Sequence, residues 1–360
     1  MTSSRVASNR FDIVVIGAGL AGLTAAAVAL ESSCSVALVT RGAGSFVLGS
    51  GCIGTREFTA LSAQPDLERA LRFFLSTCAE AGCEMEGDSC QPMQLPSLLG
   101  GFHSVAYAPQ TLAHAGFREH LPTLIAGVES LSGFDASFLA SRLNEQARTH
   151  GLSAAYAACT VALPANLGTP LTTLRIANVF DRDKEFRATL AQLLRSVSAG
   201  YARVLVPGIL GLQATGAQFA EFEKSVGRII GELPTLPPSI TGLRMYNLLL
   251  KHLRSKGLEF YEGYSVDRIE ASNGICTGLR IASPGRPFTL HADAIIVATM
   301  QASSDLLAGC LAGCVDARNL FVATSPSILH DEPHVFAGKI LAGYRAALCA
   351  SAERGVYAVR

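Results

Sequence analysis

The chain has 360 residues, of which 49% are hydrophobic and only 16% charged, with 29 Lys and Arg against 29 Asp and Glu. That balance excludes intrinsic disorder, which needs low hydrophobicity and high net charge. It also supplies no basic field for nucleic acid or an anionic membrane surface, and the length suits two or three domain-sized units.

Ile13 to Leu30 carries no charge and lies at the lower edge of transmembrane length, with Arg5 and Arg10 ahead of it in the manner of a signal peptide. Its first half is β-branched and Gly17, Gly19 and Gly22 interrupt it, so it reads as a buried strand, a turn and a buried helix. With a second strand over 35–40, residues 11–41 form one βαβ unit of the length a parallel crossover requires. A Gly/Ser-rich loop over 42–58 follows, and a helix is expected over 67–79. Residues 84–103 are polar, with Pro92, Pro96, Gly100 and Gly101, and read as a loop or lid. Next come a strand over 124–128, helices over 136–150 and 180–198, and a strand over 203–207. The proline run 233–244 cannot be helical through its prolines; a helix over 243–256 succeeds it. Beyond 257 strands return: 258–261, then a meander over 266–271, 278–283 and 288–290 turning at Asn273 and Gly274. Buried strands over 294–299 and 319–324 and a small-residue helix over 335–352 close the chain.

The ends therefore build one α/β domain of Rossmann type, binding a nucleotide such as FAD or NAD(P). It is discontinuous over 1–60 and 256–360, with an α+β domain inserted at 61–255 for substrate, cap or partner contact. No other segment approaches membrane length, so a soluble or peripherally attached protein is expected. The ten cysteines show no C-x-x-C pair and no zinc spacing. Cys78, Cys83 and Cys90 cluster more loosely than iron–sulfur ligands. Reduced thiols and no metal are the expectation.

Gly17, Gly19 and Gly22 form G-x-G-x-x-G immediately after a strand and at the opening of a helix, the context in which the pattern means phosphate binding. Gly17 permits the tight turn, Gly19 lets a phosphate approach the backbone, and Gly22 lets helix and strand pack closely. A side chain at Gly19 is expected to harm the fold as well as the site. The acid that should meet an adenosine ribose about twenty residues on is missing: the second strand ends Thr40, Arg41, Gly42, and no Asp or Glu lies between Glu31 and Glu57. Either Arg41 holds a 2′-phosphate and the ligand is of NADP type, or the ligand lacks the adenosine and is FMN.

These residues resemble a family. The opening FDIVVIGAGLAGL, the VALVTRG strand and the Gly/Ser loop are similar to flavoproteins of the glutathione-reductase and fumarate-reductase type. More narrowly, LPTLPPSITGLRMYNLL at 233–249 and the Ala-Thr strand end at 298–299 resemble the B subunit of anaerobic glycerol-3-phosphate dehydrogenase. The resemblance implies a respiratory enzyme that oxidises sn-glycerol 3-phosphate to dihydroxyacetone phosphate and passes electrons to quinone. It implies a complex with a flavin-bearing catalytic A subunit and an iron–sulfur C subunit, on the inner, cytoplasmic face of the cell membrane. The cofactor it implies is FMN, with FAD the alternative, held near Gly17, Gly19, Gly22, Thr40, Arg41, Gly42, Ser50, Gly51, Cys52 and Thr299. Two departures stand out: Met300 replaces the glycine of an A-T-G, and Ala323-Thr324-Ser325 replaces a Gly-Asp pair. They leave open a non-catalytic structural or electron-relay role, beside the weaker NADP-dependent reductase.

Oxidising a secondary alcohol needs a base for the hydroxyl proton, and a phosphorylated substrate needs a cation, preferably Arg. His330 and His334, after the late flavin-domain strand, are the candidate bases, with His103 behind them. Arg244 is the candidate for the substrate phosphate. His114 reads as structural.

Overall fold

The structure, a computed structural model, describes residues 9–55, 61, 63–164, 167–168, 170–283, 285–299, 317–323 and 336–353. The chain divides into two compact units: residues 1–45, 60–77 and 249–360, and residues 46–59 and 78–248. Where the sequence reading carries the first segment through to 60, residues 46–59 group instead with the inserted unit. The short strand β3 (Ile53–Gly54) pairs there with β6 (Phe102–Pro109).

In the first unit, with strands numbered along the whole chain, β1 (Arg10–Ile16), β2 (Val36–Thr40) and β11 (Glu259–Glu262) run parallel as the first half of the Rossmann pattern. β14 (Phe288–Val297) pairs parallel to the other side of β1, and β15 (Leu320–Val322) lies beside β14. The chain thus grows outward from β1 in one direction and then reverses, so the crevice between β1 and β14 is the topological switch point. β12 (Ser265–Ser272) and β13 (Ile275–Ala282) complete an antiparallel meander onto β14, joined at Asn273 and Gly274, whose φ values of 52° and 71° suit the tight turn read from the sequence. The two expected strands over 288–290 and 294–299 are one, its first half paired to β13 and its second to β1. Val14, Ile16, Val39, Ile295 and Val297 meet Ile269, Leu279 and Ile281 in one core. Asn319 ties the sheet end, accepting from Cys276 N and donating to the Cys276 and Asp293 carbonyls. The helix Leu20–Glu31 packs on the helix Phe336–Glu353 so closely that a Cβ on Gly343 would stand 2.1 Å from the Ala21 carbonyl oxygen.

The second unit holds two sheets. One is antiparallel, built on β6 with β3, β4 (Met85–Gly87) and β5 (Met93–Pro96). Much of the segment expected as a loop or lid is therefore strand. The other is fully parallel, in the order β10 (Ile229–Leu233), β9 (Arg203–Pro207), β7 (Thr123–Val128), β8 (Tyr156–Val161). Alternate residues face two cores: Val128, Val204, Val206 and Ile230 meet Phe180, Phe186, Phe219 and Phe222 on one side, and Ile125, Leu205 and Leu233 meet Leu139 and Leu143 on the other. Burial on both faces is what an all-parallel sheet requires. The single helix expected over 180–198 is two, Thr173–Arg182 and Lys184–Val197. Asp183, in extended conformation, breaks them and caps the second by accepting from Glu185 N and Phe186 N. The helix after the proline run starts earlier than expected and covers Ile240–Ser255.

No helix among the described residues is long and apolar enough to cross a membrane.

Candidate functional site

The switch point of the first unit gathers the glycine motif. Gly17 takes φ 104°, a conformation that favours glycine, and a Cβ there would lie 2.5 Å from the Ala298 carbonyl oxygen and 3.2 Å from Thr299 Cγ2. A Cβ on Gly22 would sit 1.8 Å from the Gly17 carbonyl oxygen, so this glycine is required by packing. Gly19 differs. Among the described residues nothing lies within 4 Å of where its Cβ would be, and its φ of −71° suits any residue. The expected harm to the fold from a side chain at Gly19 is therefore corrected: the space above it is open.

Gly19 caps the helix Leu20–Glu31 with no side-chain cap bond and no acid in the first turn. The first-turn N–H groups have no intrahelical acceptor, and the positive end of the helix dipole meets the open space. Thr40 is buried and spends its hydroxyl locally, accepting from Ala18 N at 3.3 Å and Gly42 N at 3.1 Å and donating to the Gly42 carbonyl at 2.8 Å. Arg41 is exposed. Thr299 lies two residues past the end of β14 across the switch point, and its buried Oγ1 has no hydrogen-bond partner among the described residues. A buried hydroxyl left unpaired is costly. An orphan hydroxyl beside a glycine turn that a Cβ would fill fits a bound phosphate-bearing cofactor.

Ser50, Gly51 and Cys52 belong to the second unit. Within it Ser50 and Cys52 line, with His103 and Glu232, a cavity of about 10 Å³, room for one water and not for a ring system. Gly51 takes φ 90° against Met245 and Pro109.

Arg244 does not reach out as a substrate-phosphate residue. Its guanidinium is buried in an ion pair with Glu232, at 2.6 Å and 3.0 Å, and also donates to the Gly211 carbonyl at 2.7 Å and Thr111 Oγ1 at 3.2 Å. Burial pushes the Glu232 carboxyl up, but Arg244 and the Leu210 N–H outweigh it and hold it below its ordinary value. Arg203, at 1% exposed, braces β9 by donating to Thr123 Oγ1 and to the His114 and Gly116 carbonyls.

The parallel sheet of the second unit has its own reversal, between β7 and β9, and a glycine-bearing turn follows β9. Here the protein supplies the anions. Ile209 N and Leu210 N donate to Glu232, and Leu212 N and Gln213 N donate to Asp181. That turn is occupied by the chain's own carboxylates.

His330 and His334 lie outside the described residues. His114, expected as structural, bonds Glu223 at 3.0 Å and faces Glu86 at 3.4 Å. Burial lowers its pKa, but the two carboxylates win and the net direction is up. All eight described cysteines are free. Burial pushes Cys83 up to about 12 and Cys78 well above its ordinary value, so this pair is chemically quiet. No group of metal-ligating side chains occurs among the described residues.

The family model described as pyridine nucleotide-disulphide oxidoreductase matches residues 11–338, and the chain belongs to that family. It is similar to the anaerobic glycerol-3-phosphate dehydrogenase B subunit of Pectobacterium carotovorum subsp. carotovorum (strain PC1), 27% identical over 279 residues, 69% of this chain and 65% of that one. The same B subunit of Glaesserella parasuis serovar 5 (strain SH0165) is 25% identical over 301 residues, 73% of this chain and 69% of that one. The chain thus spans about two thirds of the length of these relatives. Among solved structures, THI4 of Thermovibrio ammonificans aligns over 96% of this chain and 91% of its own, at 9% identity and a TM-score of 0.40.

Proposed function

We propose that the chain is a flavin-binding component of an oxidoreductase complex, the counterpart of the B subunit of anaerobic glycerol-3-phosphate dehydrogenase. It serves the oxidation of sn-glycerol 3-phosphate to dihydroxyacetone phosphate, in a complex with a flavin-bearing A subunit and an iron–sulfur C subunit. The complex passes electrons to quinone at the inner face of the cell membrane. The observation that supports flavin binding is the switch-point geometry: an uncapped helix start, open space over Gly19 and the orphan Thr299 hydroxyl.

The residues divide the work simply. First-turn N–H groups after Gly19 take the phosphate, Gly17 admits the backbone turn, and the Thr299 hydroxyl gains the partner it lacks among the described residues. Flavin, when bound, supplies reversible acceptance of a hydride or of single electrons. One observation favours an electron-relay role over direct substrate oxidation: Arg244, the cation expected for the substrate phosphate, is consumed by Glu232. His330 and His334 stay as proposed bases if this chain does bind substrate.

The test is a visible absorbance spectrum of the purified chain, with any released chromophore identified by mass. A flavin spectrum is expected. A colourless chain that also takes up neither FMN nor FAD overturns the reading. The missing acid after β2 favours FMN; a second carboxylate bears on that choice.

A further inference from the structure

β2 ends at Thr40, where an acid would reach the ribose of an adenosine, and the Thr40 hydroxyl is turned inward, accepting from Ala18 N and from Gly42 N of its own loop. One strand over, β11 ends at Glu262. Thr40 and Glu262 are register partners in a parallel pair. Their side chains therefore leave the same face of the sheet at the same level, one strand spacing of roughly 4.8 Å apart. The Gly263 N–H donates to the Thr40 carbonyl at 2.9 Å and fixes the two strand ends together. Glu262 is exposed and makes no ion pair among the described residues, although Arg41 follows Thr40. The other nearby acids are placed elsewhere: Glu31 pairs with Lys256, and Glu259 begins β11 at the opposite end of the sheet.

We propose that Glu262 is the ribose-binding acid of this chain, supplied from β11 in place of β2, and that the cofactor at the glycine turn is accordingly an adenine dinucleotide of the FAD kind and not FMN. The proposal rests on the flavin reading above. A carboxylate at this edge accepts both hydroxyls of a ribose cis-diol, and charge-assisted hydrogen bonds of this kind change affinity by about tenfold to a hundredfold. FMN has no adenosine and gains nothing from Glu262. A search for the acid along β2 alone misses this arrangement, because the carboxylate comes from a strand more than 200 residues further along the chain.

The experiment titrates FAD, FMN and ADP separately into the full chain, wild type and Glu262→Ala, by calorimetry. The wild type is expected to hold FAD more tightly than FMN. Glu262→Ala is expected to lose at least about tenfold in affinity for FAD and for ADP, with FMN affinity unchanged. Because Glu262 is exposed, the melting temperature of the variant stays that of the wild type, and a melting curve checks it. Equal FAD affinity in both proteins overturns the proposal. So does a parallel loss for FMN, or a wild type that binds FMN as tightly as FAD; each leaves the flavin reading intact. A wild type that binds neither flavin overturns both.

Discussion

Replacing Arg244 with Met separates two roles, a phosphate ligand and a structural partner. Glu232 is 0% exposed, and Arg244 contributes both of its terminal nitrogens to it. Taking away one member of a buried pair leaves an uncompensated charge and costs about 3–5 kcal/mol. For a unit of this size each kcal/mol shifts the melting point by about 2–4 °C. The wild-type Glu232 has a folded pKa below its unfolded value of 4.5, so its contribution is present above that value and lost as pH falls through the folded pKa. In Arg244→Met the sign is expected to invert: burial, the largest influence on the carboxyl, then raises it against the Leu210 N–H and the Thr111 hydroxyl only, so the penalty is largest at neutral pH and shrinks on acidification. Adding Glu232→Gln, which still accepts from Ile209 N and Leu210 N, recovers most of the loss. Urea unfolding followed by circular dichroism reads all three proteins. A loss below about 1 kcal/mol in the single variant would refute the reasoning, and a raised KM for glycerol 3-phosphate without loss of stability would return Arg244 to the substrate.

Other outcomes follow from the same geometry. Gly22→Ala drives a methyl into the Gly17 carbonyl and is expected to destabilise by about 3 kcal/mol or more, whereas Gly19→Ala stays within about 0.5 kcal/mol yet weakens flavin binding; thermal melts with and without added flavin compare them, and equal destabilisation would contradict the open space over Gly19. His114 has a folded pKa raised above 6.5, so its stabilisation is complete below that pH and fades as pH rises through the folded value; melting points taken across that range should fall in the wild type and stay flat in His114→Gln. A thiol reagent should label exposed Cys90 in the native protein and reach Cys78 and Cys83 only after unfolding, with early labelling of Cys78 counting against its burial.

Legibility in the sequence follows how local each signal is. The βαβ unit announces itself through β-branched runs and three spaced glycines, and the hairpin through Asn273 and Gly274, whose backbone needs are met by those residues alone. β10 is illegible because Gly231 and Glu232 interrupt its apolar run, and a charge in a buried strand is tolerable only with Arg244, twelve residues on, folded against it. Asp183 reads as one more polar residue of an amphipathic helix until its side chain is seen capping the next one. Pro92, Gly100 and Gly101 signal loop correctly at single positions, yet Pro96 ends a strand and β6 recruits short edge strands on either side of Pro92. Arg244 stands out in the sequence for its chemistry and its place after the prolines. What decides its role is a carboxylate that the fold brings to it, and periodicity carries no trace of that.

The mixed sheet of the first unit and the parallel sheet of the second make the same topological reversal and answer it in opposite ways. After β9 four backbone N–H groups converge, and Glu232 and Asp181 already accept from them. An external phosphate would have to displace a carboxylate, and displacing Glu232 would also strip Arg244 of its partner inside the core. Each charge-assisted bond lost there is worth about 1.5–3 kcal/mol, so the second crevice is closed by its own side chains. At the glycine turn the balance runs the other way. The first helical turn carries no acid, Thr40 spends its hydroxyl on Ala18 N and on its own loop, and Thr299 Oγ1 has no partner among the described residues. A ligand anion there displaces none of the described side chains and satisfies groups that they leave unpaired. Of two crevices of one kind, the placement of carboxylates closes one to an external anion and leaves the other to the cofactor proposed above.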